Sequence, residues 1–185
     1  MSAMHSVYVL DASDRIASVN DVWRAFAVEN GAPELADGVL GQSLWSYIAG
    51  AEVAAIYRAL FERVRGGRTV TVPYHCDAPG RTRHFEMVLS PREAGAIGCA
   101  TCVVGEQDRP PVSLLDVSAP RTDEFLRMCS WCKRVLLDDW VSAEDAVRRL
   151  DLFAGGPVPQ ITHGICPQCA ARMVEEWDYP RASNE

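Results

Sequence analysis

Two pairs of cysteines, Cys129-Ser130-Trp131-Cys132 and Cys166-Pro167-Gln168-Cys169, constrain this 185-residue chain more than any other feature. Two residues separate the thiols within each pair, so one tight turn aims both sulfurs at a common point. The 33 residues between Cys132 and Cys166 suffice for a helix and a return loop. Two such half-sites make a four-thiolate tetrahedron, a donor set that suits zinc. Cys129, Cys132, Cys166 and Cys169 are therefore the expected ligands, with Zn2+ as the cation. Four cysteines equally ligate an iron–sulfur cluster, which stays open as the alternative cofactor. A segment of roughly 50 residues is marginal by apolar burial alone. A four-cysteine zinc site contributes on the order of 10–16 kcal/mol, which decides whether such a segment folds. Four thiolates leave no open coordination position, which argues against hydrolysis at this metal.

Composition narrows the setting. No run of about 18 apolar residues occurs, so no membrane span is expected. Met1 to Ser6 lack a basic stretch followed by an apolar one, so no secretory signal is read. A cytoplasmic location follows as the expectation, and there paired cysteines hold metal more often than they form disulfides. The net charge of −7 disfavours a nucleic-acid partner, because each neutralised phosphate requires its own cation. Lys133-Arg134 and Arg148-Arg149 read as solvated faces.

The chain divides at its prolines. Gly105 to Pro111 continues neither strand nor helix well, and Ser118-Ala119-Pro120 breaks the chain again. Between them, Val112 to Val117 reads as a short strand or a packing segment. Ahead of the break, Val7 to Leu10 and Arg15 to Val19 form a hairpin around the turn Asp11 to Asp14. Asn20 is placed to cap a helix bearing Val22, Trp23, Phe26 and Ala27 on one face. Ser43 is placed to cap a short helix, Leu44 to Ile48. A longer helix from Ala51 to Arg65 ends at Gly66-Gly67. Three strands follow, with apolar faces Val70/Val72/Tyr74/Cys76 and Phe85/Met87/Leu89, then Ala96 to Gly105. Pro73 suits an edge or interrupted strand. In the C-terminal third, Ser142 and Asp145 predict a capped helix presenting Ala146, Val147, Leu150 and Phe153. Cys169 is placed in the first turn of a helix running to Trp177.

Strand, strand, helices and a three-strand meander is the order of a PAS domain. Leu10-Asp11 to Ile16, Val19-Asn20, Val39-Leu40-Gly41-Gln42-Ser43-Leu44-Trp45 and Gly66-Gly67 resemble that family over residues 5–106. The resemblance implies an α+β fold, a PAS-like five-stranded antiparallel sheet with helices on one face, plus a small zinc-stabilised C-terminal domain. The expected division is 1–106 as the PAS-like sensor domain, 107–125 as a linker and 126–185 as the four-cysteine zinc-binding domain. Cys129 to Val135 and His163 to Cys169 are also similar to a tail found on bacterial signalling proteins.

Other candidates read more plainly. His163 is expected to be a loop histidine in the outer shell of the metal rather than a ligand. Trp131 is read as a packing residue. Cys99 and Cys102 lie three apart in a strand and point to opposite faces, so they are read, with Cys76, as buried small hydrophobes. His75 and His84 are ordinary strand histidines. No flavin-reactive cysteine phrase and no histidine in the long helix are present, so no flavin or haem is expected. Trp23, Phe26, Trp45, Tyr57, Tyr74, Phe85 and Met87 line either a cavity or an ordinary core.

No nucleophile elbow, phosphate loop or kinase signature occurs, so the chain reads as a non-enzyme. The expected function is a cytoplasmic sensory or regulatory module. It would bind a small ligand or a protein partner through the PAS-like domain, and a homodimer through the sheet or the N-terminal segment is compatible with it. The competing readings are an iron–sulfur redox or gas sensor using the same cysteines, and a small-molecule enzyme built in the cavity.

Overall fold

The computed structural model describes residues 5–152 and 156–177. Five strands build the first sheet: β1 (Ser6–Leu10), β2 (Ile16–Val19), β3 (Val70–His75), β4 (Arg81–Pro91) and β5 (Ile97–Asp108), in the order β2-β1-β5-β4-β3. β1 pairs antiparallel with both β2 and β5. Helices α1 (Asp21–Glu29) and α2 (Ala51–Arg65) fall between β2 and β3. The fold is the expected α+β, PAS-like one, and its strand order carries that conclusion.

Local chemistry explains the elements. Asp11 Oδ1 accepts from the backbone N–H groups of Ser13 and Arg15, closing the β1–β2 turn. Asn20 Oδ1 accepts from Trp23 N–H as an N-cap and from Val7 N–H of β1, so one side chain ties helix to strand. Ser43 makes no side-chain cap: in the single 3-10 turn Leu44–Ser46, Leu44 N–H donates to Asp14 C=O and Ser46 N–H to the Ser43 carbonyl instead. Along α2, Val53, Ile56, Leu60, Phe61 and Val64 are buried at helical spacing. Phe85, Met87 and Leu89 alternate inward on β4, and Phe85 meets Phe26 of α1 edge to face. Pro73 lies in β3, an end strand of this sheet, where a missing donor is tolerated.

Chain contacts define two compact units, Met1–Pro73 with Phe85–Val103, and Tyr74–His84 with Val104–Glu185. The tip of the β3–β4 hairpin and the end of β5 thus belong to the second unit. So does the stretch 107–125, expected as a linker. A 3-10 turn at Ser113–Leu115 leaves Val112 and Leu114 almost fully buried in the second core.

That core lies against a second sheet: β6 (Arg121–Cys129), β7 (Val135–Leu136), β8 (Trp140–Val141) and β9 (Val158–Gly164), in the order β8-β7-β6-β9. α3 (Ala143–Arg149) begins where Ser142 Oγ accepts from Asp145 N–H, as the capping pattern predicts. It ends one residue before Leu150, which is exposed at 39% instead of packed inward, because Asp151 turns the chain at φ 53°. Phe153, expected on the same face, lies outside the described residues. α4 (Pro167–Trp177) closes the described chain.

Candidate metal centre

β6 and β9 run parallel, with Cys129 beside Gly164. Parallel strands finish at the same end of a sheet. The first cysteine pair therefore leaves β6 next to the point where β9 delivers the second pair. That register joins two half-sites far apart in sequence.

Each half-site is set by its backbone. Cys129 N–H donates to Arg134 C=O at 2.8 Å and Lys133 N–H donates to Cys129 C=O at 3.0 Å, folding the first pair into a tight turn. Lys133 takes the left-handed conformation there, φ 58°, and its Nζ donates to Ser130 C=O at 2.9 Å. Ser130 N–H reaches Gly164 C=O, stitching the turn to β9. In the second half-site Cys166 precedes α4 and Cys169 sits in its first turn, with Pro167 as the first helical residue. Arg134 donates to Gln168 Oε1, linking the two turns.

The four sulfurs all lie within 4.8 Å of one another, and Cys132 Sγ is 3.6 Å from Cys166 Sγ. A disulfide needs about 2.05 Å. A tetrahedron with metal–sulfur bonds of about 2.3 Å has edges of about 3.8 Å. The spacing fits a shared cation and excludes a bonded pair. Backbone amides also point at sulfur: Cys166 N–H to Cys129 Sγ and Cys169 N–H to Cys166 Sγ, each at 3.4 Å. Such donors stabilise thiolate over thiol.

Proton sharing among the thiols shows what a cation would replace. Donation from Cys132 and then Cys169 draws the Cys129 thiol far down. Its hydrogen bond to Cys129 holds the Cys132 thiol up at about 12. The Cys169 thiol is raised as well, by its bonds to Cys129 and Cys132. One site thus concentrates one negative charge and retains protons around it, an arrangement that a divalent cation resolves by displacing the protons.

The remaining candidates separate. His163 is in β9 rather than a loop, beside Met128 of β6, and burial lowers its pKa. Trp131 packs inward, 5% exposed, and its carbonyl accepts from His75 N–H at 2.7 Å. Cys99 is fully buried, and burial pushes its thiol up to about 12. Cys102 and Cys76 are only half-buried, a departure from the expectation. Cys102 points to the opposite face from Cys99, and Cys76 lies just beyond the end of β3, with the Arg83 guanidinium donating to its carbonyl.

Sequence reasoning missed one group. Asp77, its side chain 3% exposed, pairs with Arg109 at 3.2 Å, and Arg109 reaches Glu144 of α3 at 2.7 Å. Asp77 follows a predicted strand and Arg109 falls in the stretch expected as a linker, and nothing in the residue pattern of either signals burial.

Among known proteins, no family model matches the chain. A Rhodobacter capsulatus protein, described as an uncharacterized 104.1 kDa protein in the hypE 3' region, is 38% identical over 105 residues. That match covers 51% of this chain and 11% of the relative, so the chain spans about a tenth of its length. Among solved structures, the PAS domain of the Cronobacter turicensis quorum-sensing receptor RpfR with BDSF aligns at TM-score 0.39 and 19% identity. It covers 57% of this chain and 98% of that one. The Bordetella pertussis BvgS PAS domain aligns at 0.37 and 24%, covering 54% and 72%. A domain of an HTR-like protein from Haloarcula marismortui aligns at 0.35 and 22%, covering 55% and 98%.

Proposed function

We propose that this chain is a sensory or regulatory module with a PAS-like ligand-binding domain, in which Cys129, Cys132, Cys166 and Cys169 hold a structural zinc ion. The observation that carries the metal reading is the convergence of four sulfurs, all within 4.8 Å, on one point. The choice of zinc rests on the closed thiolate set and on backbone amides aimed at its sulfurs. The ion would tie the end of β6 to the start of α4 and supply no open position for substrate. This reading makes the chain a binding module rather than an enzyme.

The ligand reading rests on the interior of the PAS-like fold. Tyr57 and Cys99 are near neighbours there, and burial pushes the Tyr57 phenol up to about 12. The Tyr8 hydroxyl bonds to the Cys99 thiol. Polar groups in an interior that also buries Phe61, Phe85 and Leu89 suit a mostly apolar small molecule with one or two hydrogen-bonding atoms. Output would pass to a protein partner.

Metal analysis and the visible spectrum of protein purified with and without oxygen test the metal. One zinc per chain and no visible absorbance are expected. Brown protein with stoichiometric iron would replace zinc by an iron–sulfur cluster and turn the reading to a redox or gas sensor. Native mass spectrometry of the purified chain tests the ligand: a retained small molecule is expected, and its loss in a Tyr57→Phe, Cys99→Ala variant would place it in this interior.

A further inference from the structure

We infer a second metal site, independent of the four cysteines, in which His75 and His84 chelate a borderline divalent ion of the nickel, copper and zinc class. The argument starts from strand register. Ala78 and Arg81 exchange both backbone hydrogen bonds, and Cys76 N–H donates to Arg83 C=O at 3.0 Å. Counting outward, His75 and His84 face each other at a position without ladder bonds, where cross-strand side chains approach most closely. Their ring centroids are 4.1 Å apart, with the planes inclined at 65°. Two imidazoles bound to one ion at metal–nitrogen distances of about 2.0–2.1 Å have centroids about 4.5–5.2 Å apart. The pair needs to part by about an ångström or less, and His84 is exposed.

The surroundings prepare one imidazole as a ligand. Asp77 Oδ1 lies 3.8 Å from His75 Nδ1. That carboxylate is itself fixed: it is 3% exposed, accepts from Arg83 N–H and pairs with Arg109. At 3.8 Å Asp77 and His75 make no hydrogen bond, but a negative charge on the Nδ1 side favours the proton there and leaves the Nε2 lone pair for a metal. On the next strand Gly105 stands beside His84, and an added Cβ would meet its Cβ at 3.7 Å. With no side chain at Gly105, the solvent side of the pair stays open to water ligands.

Charge alone does not favour a cation here. Asp77 attracts one, whereas Lys133 and Arg109 repel it, and burial together with His84 keeps His75 neutral. Glu144 offsets part of the Arg109 charge. Coordination bonds to nitrogen must therefore supply the affinity, which selects borderline ions over magnesium and calcium.

The test titrates Ni2+ into the full-length, zinc-replete chain by calorimetry at pH 7.5. The expected result is one saturable Ni2+ per chain. The affinity should fall about tenfold or more in His75→Ala and in His84→Ala, because chelation is lost, and by a smaller factor in Asp77→Asn. Zinc content and the thermal midpoint of His84→Ala should stay at the wild-type values, since that side chain is exposed, and Mg2+ should give no heat. Absence of saturable binding up to about millimolar Ni2+, or wild-type affinity retained in both histidine variants, would reduce the pair to cross-strand packing and overturn the inference. So would loss of the site in His163→Ala with His75 and His84 intact.

Discussion

Removing the metal should unfold the second unit while the first stays folded. Seven large apolar side chains fill the second core: Val112, Leu114, Met128, Val135, Val141, Val147 and Val158. At roughly 1.5–3 kcal/mol each they contribute roughly 10–20 kcal/mol before conformational entropy is charged against them. A four-thiolate zinc site contributes about 10–16 kcal/mol on its own. The ion is thus worth about as much as those seven side chains together. Losing even 10 kcal/mol shifts an opening equilibrium by about seven powers of ten, far beyond the margin of a small unit. Hydrogen exchange with mass spectrometry reads this directly. In chelated, reduced protein the amides of Arg121–Cys129 and Val158–Gly164 should exchange at nearly unprotected rates. Those of Ala51–Arg65 should keep their protection, because that helix buries Val53, Ile56, Leu60, Phe61 and Val64 within the first unit. Persistent protection of both second-sheet strands, with metal fully removed and all four thiols free, would refute the claim that the ion holds this unit together.

Asn20→Ala removes an N-cap and the bond to Val7 N–H, and should lower the urea-unfolding free energy of the first unit by roughly 1–3 kcal/mol. Arg109→Met leaves Asp77 buried without its cation and should cost roughly 3–5 kcal/mol in the second unit, with Asp77→Asn in the same background recovering part of it. His75 has its pKa lowered, first by burial and then by His84. The unfolded chain therefore takes up the proton first, so this contribution is fully present above the unfolded value of about 6.5 and is lost as pH falls from there through the folded value. Urea midpoints at pH 7.5 and 5.5 should differ more in the wild type than in His75→Gln.

Much of the first unit was legible because its elements obey strong local rules. Asn20 caps, the α2 apolar residues repeat at helical spacing, and Phe85, Met87 and Leu89 alternate. The spacing of the cysteines likewise announced a four-sulfur cluster. The second sheet was not legible. β6 carries Arg121, Asp123, Glu124 and Arg127 with no sustained alternation, and β7 and β8 are two residues each. Its defining contact, parallel pairing with β9, joins segments more than thirty residues apart, which no window of local pattern reports. The same blindness hid the Asp77–Arg109 pair and the approach of His75 to His84, both set by hairpin register. Ser43 failed for a different reason: the residue type was right, but in a 3-10 turn the amide three residues on, Ser46 N–H, donates to the Ser43 carbonyl rather than to its hydroxyl.

Lys133, whose left-handed turn closes the first cysteine pair, is also the single lysine of the chain. An acylating reagent thus has one side-chain target, and it stands on the turn that carries two of the four sulfurs. Its amine is engaged by the Ser130 carbonyl while that turn is intact. A dye or tether attached there would monitor the knuckle at a unique position, and the rate of attachment would report whether the knuckle is closed.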